Sequence, residues 1–219
     1  MDHIVWDWNG TLFDDVGLCL DCINRLLQKH GLSPLETLEQ YRAVFGFPVA
    51  DYYRRIGFDF DRVPFAVLAE EYMADYQEKS AQCPLYPDVL QTLHRGRELG
   101  LGQIVLSASK KDYLMQQMEQ CGVQDAFDSV WGIENIYATS KEELAHLLRE
   151  SLPPADRLWF VGDSLHDAHV AGAVQAGCVL VSTGHQSRTR LESAGVPVAD
   201  SLWESLSTIC REAGIAAYR

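Results

Sequence analysis

The chain has 219 residues, 47% of them hydrophobic, which suits one mid-sized domain, or a domain with an insertion, around a substantial core. A formal net charge of −13 argues against nucleic acid or an anionic membrane as the main partner. It leaves a phosphorylated ligand open, because a metal and a few local cations can reverse the field inside a cleft.

No apolar run approaches the roughly 18 residues of a membrane span. Met1-Asp2-His3 lacks a signal-peptide layout, and the six cysteines are scattered, so free thiols in a cytoplasmic, reducing setting are expected. Cys19 and Cys22 spell CxxC, but they fall in a helical pattern and no second pair offers zinc-type spacing.

In chain order, the β-favouring run His3-Ile4-Val5-Trp6 delivers Asp7 to a strand end, and Asn9-Gly10-Thr11 turns the chain at once. Val16, Leu20, Ile23, Leu26 and Leu27 recur at helical spacing and predict a helix over 16–30, stopped by Gly31. Ser33-Pro34 restarts a helix through Tyr41, Gly46-Phe47-Pro48 breaks it, and 49–56 and 64–79 give two more. Nothing here reads as a strand, so residues 16–82 are expected to be an all-helical insertion in a core formed by 1–15 and 83–219. Two prolines, Pro84 and Pro87, mark its exit.

Beyond Asp88 the pattern alternates. Helices are expected over 88–99, 110–121, 140–150, 166–176, 187–194 and 202–213, and strands over 103–106, 129–133, 157–161 and 178–182. Ser140 and Glu143 have the spacing of a capping box. Continuous apolar strands alternating with helices imply an α/β fold, a doubly wound parallel sheet covered on both faces.

On that topology Asp7, Ser107, Lys141 and the pair Asp163/Asp167 converge on one sheet edge, where ligands of open α/β sheets bind. Three carboxylates that close are costly unless a cation neutralises them, which implies Mg²⁺ or a similar hard ion held by oxygens. Asp163 as an N-cap and Asp167 as an ordinary first-turn acid is the plainer alternative. Ser107 follows an apolar strand and precedes a helix, a ready phosphate seat or a simple N-cap. Lys141 opens a helix, where the dipole disfavours a cation, so it calls for an anionic partner; Lys110 and Lys111 are its rivals.

With these residues in place the chain resembles the haloacid dehalogenase superfamily, most closely its phosphoglycolate-phosphatase-like branch with a helical cap. Residues 7–12, DWNGTL, look like the first motif, Ser107 the second, Lys141 the third and GDSLHD at 162–167 the fourth; VSTGHQSRTRLESA at 181–194 is similar to the same branch. The resemblance implies that Asp7 attacks phosphorus and forms an aspartyl-phosphate. It implies Mg²⁺ held by Asp7, the Asn9 carbonyl, Asp163 and Asp167. Phosphate would be bound by Thr11, Ser107, Ala108 and Lys141, and the substrate would be a small phosphorylated metabolite, with a phosphoglycolate-like one the candidate that the branch suggests.

Asn9 departs from the pattern, which has a second Asp two residues after the nucleophile as general acid and base. An amide cannot move a proton near neutral pH, and such help is worth about 10²–10⁴-fold. Asn9 therefore predicts a handicapped phosphatase unless Asp14, Asp15, His166 or His185 substitutes. The alternative is a low-turnover phosphate- and metal-binding regulatory protein. A dehalogenase would not need the acidic cluster, and a phosphonate hydrolase needs a reactive cap lysine, for which Lys29 and Lys79 are poor candidates. Phe45, Phe47, Tyr52, Tyr53, Arg54 and Arg55 either line the cleft, with an arginine reading a carboxylate or second phosphate, or pack a small cap core.

Overall fold

The computed structural model describes residues 1–134 and 141–215. Among these residues six strands form one parallel sheet: β1 (Asp2–Trp6), β2 (Gly102–Lys110), β3 (Ser129–Ile133), β4 (Arg157–Gly162), β5 (Gly177–Val181) and β6 (Val198–Ala199). Their order is β3-β2-β1-β4-β5-β6, so the winding reverses beside β1. In such a sheet the crevice outside the carboxyl ends of the central strands is the natural ligand site.

Side chains alternate across the sheet. Ile4 and Trp6 face a core closed by α5 (Val89–Glu98), α6 (Lys111–Gln120) and α10 (Leu202–Ala213). Val5, Leu158 and Phe160 face the other, closed by α7 (Lys141–Ser151), α8 (Leu165–Ala173) and α9 (Arg188–Glu192). This period of two, buried on both sides, is why the strands read as unbroken apolar runs.

Between β1 and α5 lie α1 (Val16–Lys29), α2 (Leu38–Val44), α3 (Val49–Arg55) and α4 (Phe65–Ser80), with no strand among them. They bury a cluster of their own, including Ile23, Leu27, Tyr41 and Leu68. The helix expected from Ser33 instead starts at Leu38. Thr37 caps it by accepting from Gln40 N–H, while Leu35 is tied to Asn24 of α1 through both its N–H and its carbonyl.

β2 does not end at Leu106. Pairing with β3 shifts register after Leu106 and resumes at Lys110 opposite Ile133, so the polar Ser107-Ala108-Ser109 stretch is still strand. The two-residue β6 has no counterpart in the sequence pattern. The capping box expected at Ser140 lies outside the described residues. No helix among the described residues is long and apolar enough to cross a membrane.

Candidate active site

Asp7 leaves β1 with its N–H still bonded to the Val161 carbonyl of β4, 2.8 Å away. The chain then turns tightly: the Trp8 carbonyl accepts from Leu12 and Phe13, each at 2.9 Å, and Gly10 adopts φ +70°. A Cβ on Gly10 would fall 2.5 Å from Asp163 Oδ2, so the position needs glycine for room as well as for conformation.

Lys141, at the start of α7, finds its anions here. Its Nζ lies 2.6 Å from Asp7 Oδ1 and 2.5 Å from Asp167 Oδ1. Of its rivals, Lys110 pairs with Asp112 at 3.2 Å and Lys111 is exposed. Asp167 divides its oxygens: Oδ2 accepts from the Ser164 N–H and hydroxyl and so secures the first turn of α8, while Oδ1 takes Lys141. Asp163 is not the N-cap of α8. That position is Ser164, and Asp163 Oδ2 instead accepts from the His185 N–H.

Ser107 is buried and its hydroxyl accepts from Ser109 N–H at 3.1 Å. It is not at a helix start, because β2 runs on to Lys110 and α6 begins at Lys111; the expected help from helix-terminal N–H groups does not arise at Ser107 itself. Thr11 is fully buried with an unpartnered hydroxyl, and it is not among the residues lining the cavity described below.

Burial dominates the electrostatics. It pushes the Asp7 carboxyl up to about 7 against the opposing charge of Lys141, with Asp167 and Asp163 adding to the rise. It pushes Asp163 up to about 6, opposed by His185. Asp167 goes the other way: burial would raise it, but the charge and hydrogen bond of Lys141 outweigh that and hold it below the usual carboxylate range. Burial would lower Lys141, yet Asp167 and Asp7 hold its ammonium above its ordinary value.

A second network starts at Asn9. Its Nδ2 donates to Asp15 Oδ2 and to the Tyr76 hydroxyl, both at 2.8 Å, and its Oδ1 accepts from Ser109 at 2.6 Å. Tyr76, on α4, donates to Asp15 at 2.7 Å and accepts from Gln117 at 3.3 Å. Asp15 also lies 3.4 Å from His185 Nε2, while His185 Nδ1 is 2.9 Å from the Tyr41 hydroxyl on α2. Burial would lower His185, but the hydrogen bond and charge of Asp15 carry it up to about 9. Of the groups considered as substitutes for the missing acid, Asp15 bonds Asn9 directly and His185 reaches the network through Asp15, whereas His166 stacks on Phe47 with ring centres 4.6 Å apart.

Further polar ties hold the helical block against the loop after β5. Arg42 donates to the Gly184 and Thr183 carbonyls at 2.8 and 2.7 Å, and Arg190 donates to the Phe45 carbonyl at 2.5 Å. Neither arginine stands out in the sequence: Arg42 is the one cation of α2, Arg190 shares α9 with Arg188, and the partners of both here are backbone carbonyls.

Core and block enclose a cavity of about 170 Å³. Asp7, Asn9, Ser107, Ala108, Lys141 and Asp163 form its floor, and Phe45, Phe47, Tyr52 and Tyr53 stand in its wall. Arg54 and Arg55 do not line it: Arg54 pairs with Asp51 and lies over Phe60, and Arg55 donates to the Val44 carbonyl.

The floor fits a hard divalent cation. Ligand oxygens of Asp7, Asp163 and Asp167 lie within 4.8 Å of one another, and all are oxygen donors of the kind Mg²⁺ takes. A Cβ on Gly184 would lie 2.1 Å from Asp163 Oδ2, so the carboxylate occupies space that only glycine leaves free. Three carboxylates there face one ammonium and, at Asp163, His185, and the raised Asp7 and Asp163 are the acids a further cation would relieve. Asp15, Cys19 and His185 also bring ligand atoms within 4.8 Å, but Asp15 is already engaged by Asn9, Gly10 and Tyr76.

The chain is similar to known proteins along most of its length. It is 26% identical over 191 residues to phosphoglycolate phosphatase of Pseudomonas syringae pv. syringae, covering 83% of this chain and 70% of that one. It is 24% identical over 185 residues to the tyrosine-protein kinase PtkA of Mycobacterium tuberculosis, covering 83% and 62%. Among solved structures, a predicted phosphatase from Clostridium acetobutylicum superimposes with a TM-score of 0.80 at 20% identity over 96% of this chain and 98% of that chain. Mycobacterium tuberculosis PtkA superimposes with 0.77 at 21% identity over 96% of both, and at such identities these matches speak for the fold. The sequence profile of the haloacid dehalogenase-like hydrolases matches residues 4–181, spanning β1 to β5 and the floor of the cavity, and the chain belongs to that family.

Proposed function

We propose that the protein is a Mg²⁺-dependent phosphatase that hydrolyses a small phosphorylated metabolite through an aspartyl-phosphate on Asp7. The observation that carries this reading is the Lys141 ammonium shared between Asp7 and Asp167 at the mouth of β1, beside Ser107. The phosphoglycolate phosphatases among its relatives support the reaction class. Residues 16–82 would act as the cap over a core made of 1–15 and 83–219, and the six free thiols fit a cytoplasmic setting.

In this reaction a carboxylate oxygen of Asp7 attacks phosphorus, the bond to the alcohol oxygen breaks, and that oxygen leaves with the electron pair. Water then attacks the phosphorus of the aspartyl-phosphate, releasing inorganic phosphate and restoring Asp7. Lys141 and the Ser107 hydroxyl would stabilise charge on the phosphoryl oxygens, with Thr11 and Ala108 further members of the phosphate-binding set. Asp7, Asp163, Asp167 and the Asn9 carbonyl would hold the ion. When bound, Mg²⁺ supplies charge neutralisation between the carboxylate and the anionic substrate and orients the phosphoryl group.

Asn9 gives the alternative its ground. Its amide is fixed by Asp15, Tyr76 and Ser109, and it can neither supply nor remove a proton, which suits a slow phosphate-binding protein. Phosphate release from a panel of phosphate monoesters, with Mg²⁺ and with EDTA, separates the two. Mg²⁺-dependent turnover that rises in Asn9→Asp is expected. Phosphate and metal binding without turnover in either protein would favour the binding protein.

A further inference from the structure

The wall facing the catalytic floor carries information about the other half of the substrate. On the side of the helical block it is built from Phe45, Tyr52, Tyr53, Phe65, Tyr72 and Met73. Their rings pack edge to face, Phe45 with Tyr52 at 5.3 Å and Tyr53 with Phe65 at 5.5 Å, giving a stiff aromatic surface.

The cations of the block are occupied elsewhere. Arg42 serves backbone carbonyls, Arg54 pairs with Asp51, and Arg25 and Lys79 pair with Asp75. Among the described residues, the lysines lining the cavity are Lys110 and Lys141, both on the core side. Lys141 is bound by Asp7 and Asp167, and Lys110 by Asp112 while lying over the Tyr113 ring. His185 is taken up by Asp15 and Tyr41. A carboxylate on the leaving group would lose its hydration against this wall and gain no cation in return. Among the wall's tyrosine hydroxyls, that of Tyr52, which is 3% exposed, is buried with no hydrogen-bond partner.

Asn9 points to the same substrate class from the chemical side. With no proton donor at position 9, and both ring nitrogens of His185 engaged by Asp15 and Tyr41, the leaving oxygen departs as an anion. A phenol, with a pKa of about 10, tolerates this far better than an aliphatic alcohol, whose acidity is nearer that of water at about 15.7.

Resting on the phosphatase reading above, we propose that the cavity selects phosphate monoesters of an aromatic alcohol, with a ring seated against the Tyr52–Phe65 wall and a polar substituent meeting the Tyr52 hydroxyl, over short carboxylated esters such as phosphoglycolate.

The test compares kcat/KM for 1-naphthyl phosphate, a hydroxylated naphthyl phosphate and 2-phosphoglycolate in Mg²⁺. The aryl esters are expected to be preferred by about tenfold or more, the scale that a well-filled apolar pocket provides. Met73→Arg, which places a cation in the wall, should narrow or invert that ratio. Tyr52→Phe should slow the hydroxylated ester more than the plain one. Asn9→Asp should accelerate phosphoglycolate more than the aryl esters.

Equal or better use of phosphoglycolate by the unmodified protein overturns the inference and leaves the phosphatase standing. If no ester is turned over, the phosphatase reading falls, and calorimetric titration of Asp7→Asn with 1-naphthyl phosphate and with 2-phosphoglycolate decides the inference by itself. Tighter binding of the aryl ester supports it, and equal, weaker or absent binding of that ester overturns it.

Discussion

The floor of the cavity ties its polar groups to one another, whereas the aromatic wall above it is held mainly by ring contacts. On the floor, Lys141 bridges Asp7 and Asp167, and Asp163 and His185 are joined through a backbone N–H. In the wall, Phe45 meets Tyr52 and Tyr53 meets Phe65 ring to ring, and the Tyr52 hydroxyl is left without a partner. The floor stands on strand ends held by the parallel sheet, with Lys141 brought in at the start of α7. The wall hangs from helices that contact the core through a limited set of hydrogen bonds. Chemistry common to a family belongs on the first, and selection of one substrate belongs on the second.

The two regions should break differently. Lys141→Ala leaves two buried carboxylates without their cation, and removing one partner of a buried ion pair typically costs about 3–5 kcal/mol. Urea unfolding in EDTA should show a loss of that size. A loss under about 1 kcal/mol would mean that the Lys141–Asp167 bridge is not formed in solution.

Tyr76→Phe cuts the joint between wall and floor. It removes the hydroxyl shared by Asn9, Asp15 and Gln117 and leaves buried polar groups short of a partner, which costs about 1–3 kcal/mol. The same measurement should show a smaller loss than Lys141→Ala, and amide exchange should quicken in α4 before it does in the sheet.

Much of this division is legible in the chain. Asp7 before Asn-Gly, and Asp163 with Asp167 across a loop-to-helix junction, mark the floor because strand ends and helix starts have local signals. The ends of β2 and the start of α2 are less legible. β2 continues through Ser107-Ala108-Ser109 because backbone pairing with β3 resumes at Lys110, and pairing does not require apolar side chains. α2 waits for Thr37 because Asn24, from another helix, holds Leu35 outside it. The aromatic residues of the wall are visible as aromatics, but their two readings, cleft lining and packing, both hold: Tyr52 lines the cavity and packs against Tyr41. The network around Asn9 joins residues far apart in sequence, from Asp15 to Tyr76 and His185, and no spacing rule reaches that distance.

The smallest expected effect lies on the outer surface of the helical block. Hydrogen bonds from Lys29 and His30 hold Glu71 below the usual carboxylate range, and for Asp75 burial is outweighed by the hydrogen bonds of Lys79 and Arg25. Because both carboxyls are depressed in the folded state, their contribution is present above the ordinary carboxylate value and is lost as the pH falls through the lowered one. The pairs are partly exposed, so the contribution is within about 1 kcal/mol and screened by salt. The difference in melting temperature between the unmodified protein and Glu71→Gln should therefore be small near neutrality and fade in acid, as the pH drops below the ordinary glutamate value of about 4.3 and through the lowered one. A difference that grows on acidification would contradict the assignment.

The central claim is that Asp7 carries the phosphoryl group. The most direct test is to mix the protein with Mg²⁺ and an aryl phosphate, quench in acid within the first turnovers, and map the modified peptide by mass spectrometry. Phosphorylation is expected on the Asp7 peptide, absent in Asp7→Asn and longer-lived than in Asn9→Asp, because Asn9 gives the attacking water no base. Rapid phosphate release that persists in Asp7→Asn, with no modified peptide in either protein, would contradict the account.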